Sequence, residues 1–261
     1  MTTSSKWEDL KARSLSSLLM VAVGAIEIWL GGPWFLALIT VVCGLMIWEL
    51  VRMLMPQPVL LARGLAVLAS LSMLAAVLLS QPLLLLAPLV LGAVLLRQNR
   101  LILVLYGPVV MYAAYGLVVL RDAPDGLIWL IWLVLVVVVT DVAGYFAGRM
   151  IGGPKFWPAI SPKKTWSGTI AGWLGAGGLA FVFIPLTSAG PALVLFSMLV
   201  SFASQMGDIA ESAIKRRSGV KDSSSLIPGH GGVLDRFDGL IGAALVVLLL
   251  MAASGQLPDQ P

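Results

Sequence analysis

Residues 127–146 read LIWLIWLVLVVVVTDVAGYF, and this stretch decides the fold class. It is apolar at nearly every position and holds a single charged residue, Asp141. About 20 residues of α-helix cross a hydrocarbon core of about 30 Å. Because no water in that layer can satisfy backbone groups, a continuous apolar run without alternation predicts a membrane-spanning helix rather than a barrel strand.

Similar apolar runs recur on both sides of this stretch. The chain of 261 residues is 59% hydrophobic and only 11% charged, and its mean hydropathy of +0.98 excludes an ordinary soluble domain. We therefore predict an all-α polytopic membrane protein. About nine transmembrane helices are expected, at roughly 15–31, 34–53, 59–79, 82–96, 101–120, 127–146, 169–186, 191–211 and 239–253.

The basic residues predict the orientation. With a cytoplasmic N-terminus and nine crossings, the Lys and Arg residues of the connecting segments fall on the cytoplasmic side, and Arg121 alone falls on the other. The C-terminus is then expected on the opposite side of the membrane. The formal net charge of +4 is thus concentrated at one face, where it suits anionic head groups and nucleotides.

The chain reads as a single integral membrane domain over 1–261 with two unequal halves. Residues 1–126 predict a generic helical scaffold half, and 127–253 predict a catalytic half with polar cytoplasmic loops at 149–168 and 213–238. Polar side chains at helical spacing mark the sixth and eighth spans of this half. Carboxylates at membrane depth normally face a bundle interior or a water-filled cavity, although a buried helix–helix hydrogen bond is the alternative. Glu27 and Glu49 are instead expected to reach an interface.

Three carboxylates of the second half predict a metal site. Asp235 and Asp238 are three residues apart, so they project from one side of a helix. Asp208 lies near the inner end of the eighth span. Carboxylate oxygens at one depth suit Mg²⁺, which keeps several waters and shares ligands with substrate phosphates. One His and one Cys cannot build the usual zinc site.

The two basic loops supply counter-charge for a triphosphate, and Gly231 and Gly232 permit close backbone approach. Taken alone, either loop is more often a topology signal, but topology does not explain the Asp-Arg-x-Asp and His-Gly-Gly segments. His230 is not needed as a general base, because a phosphate monoester with a second pKa of about 6 is already ionised at neutral pH. We therefore assign His230 to binding, either of phosphate or of the loop's own backbone.

The motifs of the second half resemble the signature of the phosphatidate cytidylyltransferases, also called CDP-diacylglycerol synthases. The resemblance rests on Ser212-x-Ile214-Lys215-Arg216, Lys221-Asp222 and Ile227-Pro228-x-His230-Gly231-Gly232-Val233-x-Asp235-Arg236-Phe237-Asp238. It extends upstream to Asp141-x-x-x-Tyr145-x-x-Gly148-Arg149, Ser161-Pro162-Lys163-Lys164-Thr165-Trp166-x-Gly168 and Ser204-Gln205-x-Gly207-Asp208-x-x-Glu211-Ser212. One position departs, since Ser167 stands where the family often has an acidic residue.

This resemblance implies the reaction of CTP with phosphatidate to give CDP-diacylglycerol and pyrophosphate. It implies a multi-pass protein of the cell inner (cytoplasmic) membrane, a homodimer, Mg²⁺ with a second cation such as K⁺, and no nucleic-acid partner. By motif position the metal ligands would be Asp208, Asp235 and Asp238, and the catalytic residues Asp235, Asp208, Lys221 and Arg236. The substrate-binding residues would be Asp141, Tyr145, Lys163, Lys164, Thr165, Ser212, Lys215, Arg216, His230, Gly231 and Gly232.

Two rival functions remain open at this point. A CTP-dependent lipid kinase of the polyprenol or dolichol type shares the nucleotide and the membrane architecture, but it would have to deprotonate an alcohol. An ion-coupled transporter would also place carboxylates in the membrane. Against it stand the absence of detectable sequence repeats and the concentration of charge in a loop rather than at mid-membrane.

Overall fold

The computed structural model describes residues 3–254, with side chains from Arg13 onward. Within this range nine α-helices follow one another. Their bounds are α1 Thr3–Leu30, α2 Gly32–Leu54, α3 Val59–Leu78, α4 Ala87–Leu95, α5 Arg100–Asp122, α6 Gly126–Met150, α7 Trp166–Phe183, α8 Leu193–Arg217 and α9 Leu234–Ala253. The all-α prediction is confirmed.

Eight of these helices are long and apolar enough to cross a membrane, judged by length and composition. The fourth predicted span forms a shorter apolar helix, Pro82–Leu95, made of a 3₁₀ turn followed by α4. The membrane assignment also fits the surface. Large apolar side chains such as Leu60, Leu174 and Leu195 are mostly exposed, and a soluble monomer rarely exposes so much contiguous apolar area.

A short β-hairpin interrupts the helices between α6 and α7. Strand β1, Lys155–Trp157, pairs antiparallel with β2, Ser161–Thr165. This segment lies within the predicted polar loop at 149–168. The hairpin ends directly at α7, since Thr165 is the N-cap residue of that helix.

The described chain divides into two compact units. The first unit comprises the chain up to Met111 together with Ser218–Phe237, and the second comprises Tyr112–Arg217 together with the chain from Asp238 onward. The boundary does not follow the predicted halves at 126/127. The segment between α8 and α9, residues 218–233 (the α8–α9 loop), groups with the N-terminal helices.

In the first unit α2 packs on α3, and α3 packs on α4. Apolar side chains of α2 and α3 fill the space between these helices, and the buried Cys43 thiol contacts the Met111 sulfur at 3.3 Å. In the second unit α7 packs between α6 and α8. Small residues permit this packing: a Cβ on Gly168 would lie 2.5 Å from the Gly144 carbonyl oxygen of α6.

Polar bonds join the helices of the second unit at membrane depth. The Trp132 indole of α6 donates to Ser197 Oγ of α8 at 3.0 Å, and Thr140 Oγ1 donates to Ser201 Oγ at 2.7 Å. Gln205 of α8 accepts from the Trp173 indole of α7 at 3.0 Å. The N-terminal part of the predicted polar stripe on α8, Ser201 and Gln205, therefore serves helix packing, which was the alternative interpretation of that stripe.

Candidate active site

A cluster of charged side chains lies where α8 ends in the second unit. Asp208 Oδ2 forms an ion pair with Lys164 Nζ of β2 at 2.5 Å, and Asp208 Oδ1 accepts from Ser212 Oγ at 3.2 Å. One turn further on, the buried Lys215 pairs with the buried Glu211 at 2.9 Å. The cluster therefore brings together four predicted site residues, and Glu211 joins them.

The start of α9 adds Asp238 to this cluster. Its carboxylate lies within electrostatic range of Asp208, Glu211 and Lys215. The approach depends on Gly207, because a Cβ there would collide with the Asp238 carbonyl oxygen and approach the Gly242 nitrogen to 3.0 Å. The predicted convergence of Asp208 with Asp238 thus has a structural basis in the close crossing of α8 and α9.

The charge balance of this cluster favours a cation. In the contacts given above it contains the carboxylates of Asp208, Glu211 and Asp238 and the ammonium groups of Lys164 and Lys215. Carboxylates held together in a partly buried site repel one another unless a proton or a cation neutralises them. The donor atoms are hard oxygens, which Mg²⁺ prefers.

No group of three His, Cys, Asp or Glu side chains in the described part of the chain is arranged to hold a metal ion. Mg²⁺ is commonly bound through one or two carboxylates, with waters and substrate phosphates completing its octahedron. Asp208 and Asp238 fit that pattern. The metal-site prediction stays a prediction.

The hairpin and the start of α7 position Lys164 and Thr165. Thr165 is buried, and its Oγ1 caps α7 by accepting from the Gly168 amide at 3.2 Å. It also lies 3.0 Å from Ser167 Oγ, which in turn donates to the Gly152 carbonyl at 2.5 Å. Thr165 therefore has a structural role next to Lys164, while Lys163 points to the exposed side of the strand.

The polar stripe of α6 is exposed. Asp141 and Tyr145 both lie on the surface of the second unit, and Arg149 Nη1 donates to Tyr145 Oη at 2.9 Å. Arg216, at the end of α8, is also exposed. These residues are not members of the charged cluster in the contacts described.

Asp235 belongs to the first unit, where it organises the α8–α9 loop. Its Oδ2 accepts three hydrogen bonds, from the Ser223 amide at 2.8 Å, from Ser223 Oγ at 2.8 Å and from the Gly232 amide at 2.7 Å. A metal bond through this oxygen would have to displace those donors. Because Asp208 and Asp235 lie in different units, their predicted convergence stays a prediction.

The glycines of the His-Gly-Gly segment have a local explanation. Gly231 has a φ of +82°, and a Cβ on it would lie 2.7 Å from Asp235 Oδ2. A Cβ on Gly232 would collide with Ser223 Oγ and with Glu49 Oε1. Because Gly231 and Gly232 have no side chains, the carboxylates of Asp235 and Glu49 can lie directly against the backbone of this segment. Their predicted approach to phosphates stays a prediction.

His230 is held by the first helix. Its Nδ1 lies 2.9 Å from Ser16 Oγ and its Nε2 lies 2.9 Å from Ser17 Oγ, while the Pro228 carbonyl is 3.3 Å from Nδ1. The contact with Pro228 agrees with the expectation of a bond to the loop's own backbone. The serines were not predicted, because nothing in α1 indicates a partner that lies more than 200 residues away.

Lys221 and Arg236, also in the first unit, are exposed.

Glu49 is the functional candidate that the sequence analysis missed. Instead of reaching an interface it is fully buried in α2. Its Oε1 accepts from Ser224 Oγ at 2.6 Å and from the Val233 amide at 2.9 Å. Its Oε2 accepts from the Leu234 amide at 2.6 Å and lies 3.2 Å from Ser223 Oγ, whose single proton it shares with Asp235 Oδ2. The only available signal was a carboxylate within an apolar run.

A cavity of about 820 Å³ lies at the other end of the second unit. It is lined by the last turn of α5, the first turns of α6 and α8 and the end of α9, with Trp129, Trp132 and Phe196 among its walls. The charged cluster lies instead at the end of α8 and the start of α9. The cavity contains none of the predicted site residues.

Helices that are long and apolar enough to cross a membrane define a polytopic membrane protein. The sequence model of the Cytidylyltransferase family matches residues 11–254. Since this match covers nearly the whole chain, the chain belongs to the Cytidylyltransferase family. The resemblance drawn from the motifs is confirmed at this level.

The names of curated relatives agree with this family. The chain is similar to a phosphatidate cytidylyltransferase of Brucella suis biovar 1 (strain 1330), with 44% identity over 153 residues, which is 58% of this chain and 56% of the relative. A Haemophilus influenzae protein of that name is 44% identical over 130 residues, covering 47% of this chain and 45% of the relative. A Bacillus subtilis (strain 168) protein of that name is 39% identical over 131 residues, covering 49% and 48%. The chain thus matches about half the length of these relatives.

Proposed function

We propose that the protein transfers the cytidylyl group from CTP to phosphatidate and releases pyrophosphate. The family match over residues 11–254 carries this proposal, and relatives named phosphatidate cytidylyltransferase support it. The charged cluster supports it as well, since its ammonium groups and carboxylates suit a nucleotide triphosphate with a divalent ion.

The chemistry would require positioning and charge neutralisation rather than a strong base. A phosphate oxygen of phosphatidate would attack the α-phosphorus of CTP, and the bond from that phosphorus to the α–β bridging oxygen would break. The bonding electrons would leave with pyrophosphate. Because the attacking phosphate is already ionised near neutral pH, no residue has to remove a proton from it.

Specific side chains would fill these roles. Lys164 and Lys215 would attract the triphosphate, and the exposed Lys163 and Arg216 would extend the positive surface of the same unit. Lys221, His230 and Arg236 would contribute from the α8–α9 loop and the first turn of α9. Mg²⁺, held by Asp208 and Asp238 with Asp235 as the further predicted ligand, would neutralise charge on the phosphates. A second cation such as K⁺ is part of the same proposal.

The test uses CTP labelled at either end of its triphosphate. With purified protein in detergent and phosphatidate, label at the α-phosphate should appear in the lipid product, and label at the γ-phosphate should appear in pyrophosphate. A lipid kinase supplied with an alcohol acceptor would instead transfer the γ-label to the lipid and leave the α-label in CDP. If neither label moves and the protein instead supports ion-dependent flux in vesicles, the proposal is wrong.

The remaining expectations concern the setting of the reaction. We propose that the protein lies in the cell inner membrane with its charged segments in the cytoplasm, where CTP is available, and that it forms a homodimer. The one-sided distribution of basic residues supports the orientation. Light scattering in detergent tests the dimer, because a particle with the protein mass of one chain, 27.6 kDa, would contradict it.

A further inference from the structure

Glu49 makes contacts that an interfacial glutamate would not make. It is fully buried in α2 of the first unit, and each carboxylate oxygen lies within hydrogen-bond distance of two donor groups, one of which, the Ser223 hydroxyl, is shared with Asp235. An ionised carboxylate is an acceptor only, with about four lone-pair positions. Three unshared donors and the shared Ser223 hydroxyl therefore surround the accepting positions of the side chain.

These donors come from both ends of the α8–α9 loop. Ser223 and Ser224 precede the His-Gly-Gly segment, whereas the amides of Val233 and Leu234 follow it. One side chain thus fixes the distance between the two ends of the segment 224–233. The Leu234 amide belongs to the first turn of α9, so Glu49 also satisfies a helix N-terminus from outside that helix.

The same contacts reach Asp235 through a shared neighbour. Ser223 Oγ is within 3.2 Å of Glu49 Oε2 and 2.8 Å of Asp235 Oδ2. Gly232 lies so close to Glu49 that a Cβ would collide with it. The signature residues Gly232 and Asp235 are therefore arranged around a carboxylate that belongs to the N-terminal helices.

We propose that Glu49 is a positioning residue, which holds the α8–α9 loop and the first turn of α9 in the conformation that nucleotide transfer requires. The catalytic part of this inference rests on the proposed function. The structural part, that Glu49 holds the loop, does not. Glu49 touches no reacting atom in this scheme and acts through the residues of the loop.

The chain offers a matched control in Glu27. This second glutamate lies in an apolar helix of the same unit, and its Oε2 has no hydrogen-bond partner among the described residues. Glu49→Gln replaces one accepting oxygen with a donor that faces other donors. Glu27→Gln makes the same chemical change where no such network exists.

The first measurement is hydrogen exchange of the detergent-purified protein, which requires no activity. In Glu49→Gln the amides of residues 223–234 should exchange roughly 10-fold faster or more, while α6, α7 and α8 keep their protection. Glu27→Gln should match the unmodified protein throughout. Unchanged exchange of residues 223–234 in Glu49→Gln would overturn the structural part.

The second measurement is transfer of α-label from CTP to phosphatidate. Glu49→Gln should lower kcat by roughly 10²-fold, the size of effect that a displacement of about 1 Å produces, with the KM for phosphatidate unchanged. Ser224→Ala removes one of the four bonds and should have a smaller effect, which disappears in the Glu49→Gln background because both changes remove one interaction. Turnover in Glu49→Gln equal to that in Glu27→Gln would overturn the catalytic part.

The two measurements separate the possible failures. If the unmodified protein transfers no label, the proposed function is wrong, and exchange still decides whether Glu49 holds the loop. If Glu49→Gln does not fold, Ser224→Ala decides both parts. In that variant, wild-type exchange of residues 223–234 together with wild-type turnover would overturn the proposal.

Discussion

Asp208 has three kinds of polar neighbour: an ammonium group from β2, a hydroxyl from its own helix and a carboxylate from α9. Under the proposed function, such a position would let one side chain respond to both the nucleotide and a cation. The Lys164–Asp208 pair is partly exposed, so its contribution to stability is small, about 0–1 kcal/mol. The pair is therefore better explained by binding than by folding.

Replacing Asp208 should affect turnover more than folding. Asp208→Asn keeps the shape of the side chain but removes the charge, and we expect cytidylyl transfer to fall by roughly 10²-fold or more because charge neutralisation on the phosphates is lost. The measurement is the rate of α-label transfer at saturating CTP and Mg²⁺. Asp125→Asn, at the start of α6, is the control. Equal rates for the two variants would remove Asp208 from the site.

The Lys215–Glu211 pair should matter for stability, unlike the partly exposed Lys164–Asp208 pair, because both of its side chains are buried. Lys215→Met removes the ammonium that neutralises a buried carboxylate, and breaking such a pair costs about 3–5 kcal/mol. A lowered midpoint of thermal unfolding in detergent is expected. Arg217→Gln, at the exposed end of the same helix, should leave the midpoint unchanged. An unchanged midpoint in Lys215→Met would show that Lys215 serves binding alone.

Residue identities in the second half were readable from the sequence, whereas their contacts were not. Helical spacing predicted one face of α8 for Asp208, Ser212 and Lys215, and in the structure Asp208 contacts Ser212 while Lys215 pairs with Glu211 one turn further on. Glu49 was assigned to an interface because Arg52 follows it closely. Its real partners lie in a loop more than 170 positions later, and the periodicity of a single helix contains no information about them.

At the scale of elements, glycine determines how closely α7 approaches α6. Gly168 faces Gly144, whereas a Cβ added to Gly178 on the same helix would have nothing within 4 Å. We expect Gly168→Ala to destabilise the protein by about 1–3 kcal/mol, because the added methyl has to push the two helices apart. Gly178→Ala should be neutral or slightly stabilising, since alanine is the better helix former.

Thermal unfolding of the two alanine variants in the same detergent makes the comparison. Both substitutions add one methyl group to one helix, so differences in hydrophobicity cancel. Equal midpoints for the two variants would contradict the close packing of α6 on α7.

The long helices were predictable, but the hairpin and the fourth span were not. Continuous apolar runs identified the long helices because their length exceeds that of any strand. Strands β1 and β2 have three and five residues, too few for a clear alternation between glycine and proline turns. The run at 82–96 was the short one among the nine predicted spans, and its 3₁₀ start and short α4 give a helix below the spanning length.

At the scale of the whole molecule, the orientation in the membrane can be measured with cysteines. Cys43 is the only cysteine of the chain and is buried, so Cys43→Ala gives a thiol-free background. Ala159→Cys in the hairpin and Ser188→Cys after α7 flank that one helix. A membrane-impermeant maleimide should label them from opposite sides, with Ala159→Cys reacting from the cytoplasm.

The result bears directly on the predicted topology. If both cysteines reacted from the same side, α7 would not cross the membrane. If Ala159→Cys reacted from the outside, the orientation derived from the basic residues would be wrong, and CTP could not reach the charged cluster from the cytoplasm.

The unit boundaries qualify the division into a scaffold half and a catalytic half. The density of charged residues indicated that the family motifs lie in the second half, and the chain does belong to that family. Grouping the α8–α9 loop with the N-terminal helices depends on contacts from Ser16, Ser17 and Glu49, which are single polar residues within long apolar segments. The N-terminal helices look generic in the sequence, yet three of their polar side chains contact the α8–α9 loop.

The burial of Glu49 also bears on how the chain is made. Its hydrogen-bond donors are synthesised 174 or more residues after it, which corresponds to a delay on the order of 10–30 s at ordinary ribosome speeds. During that time α2 enters the bilayer carrying a carboxyl group whose final partners do not yet exist, at a cost of a few kcal/mol. Nascent chains that stop before residue 223 should therefore be retained longer by the insertion machinery, and quality control should recognise them through α2.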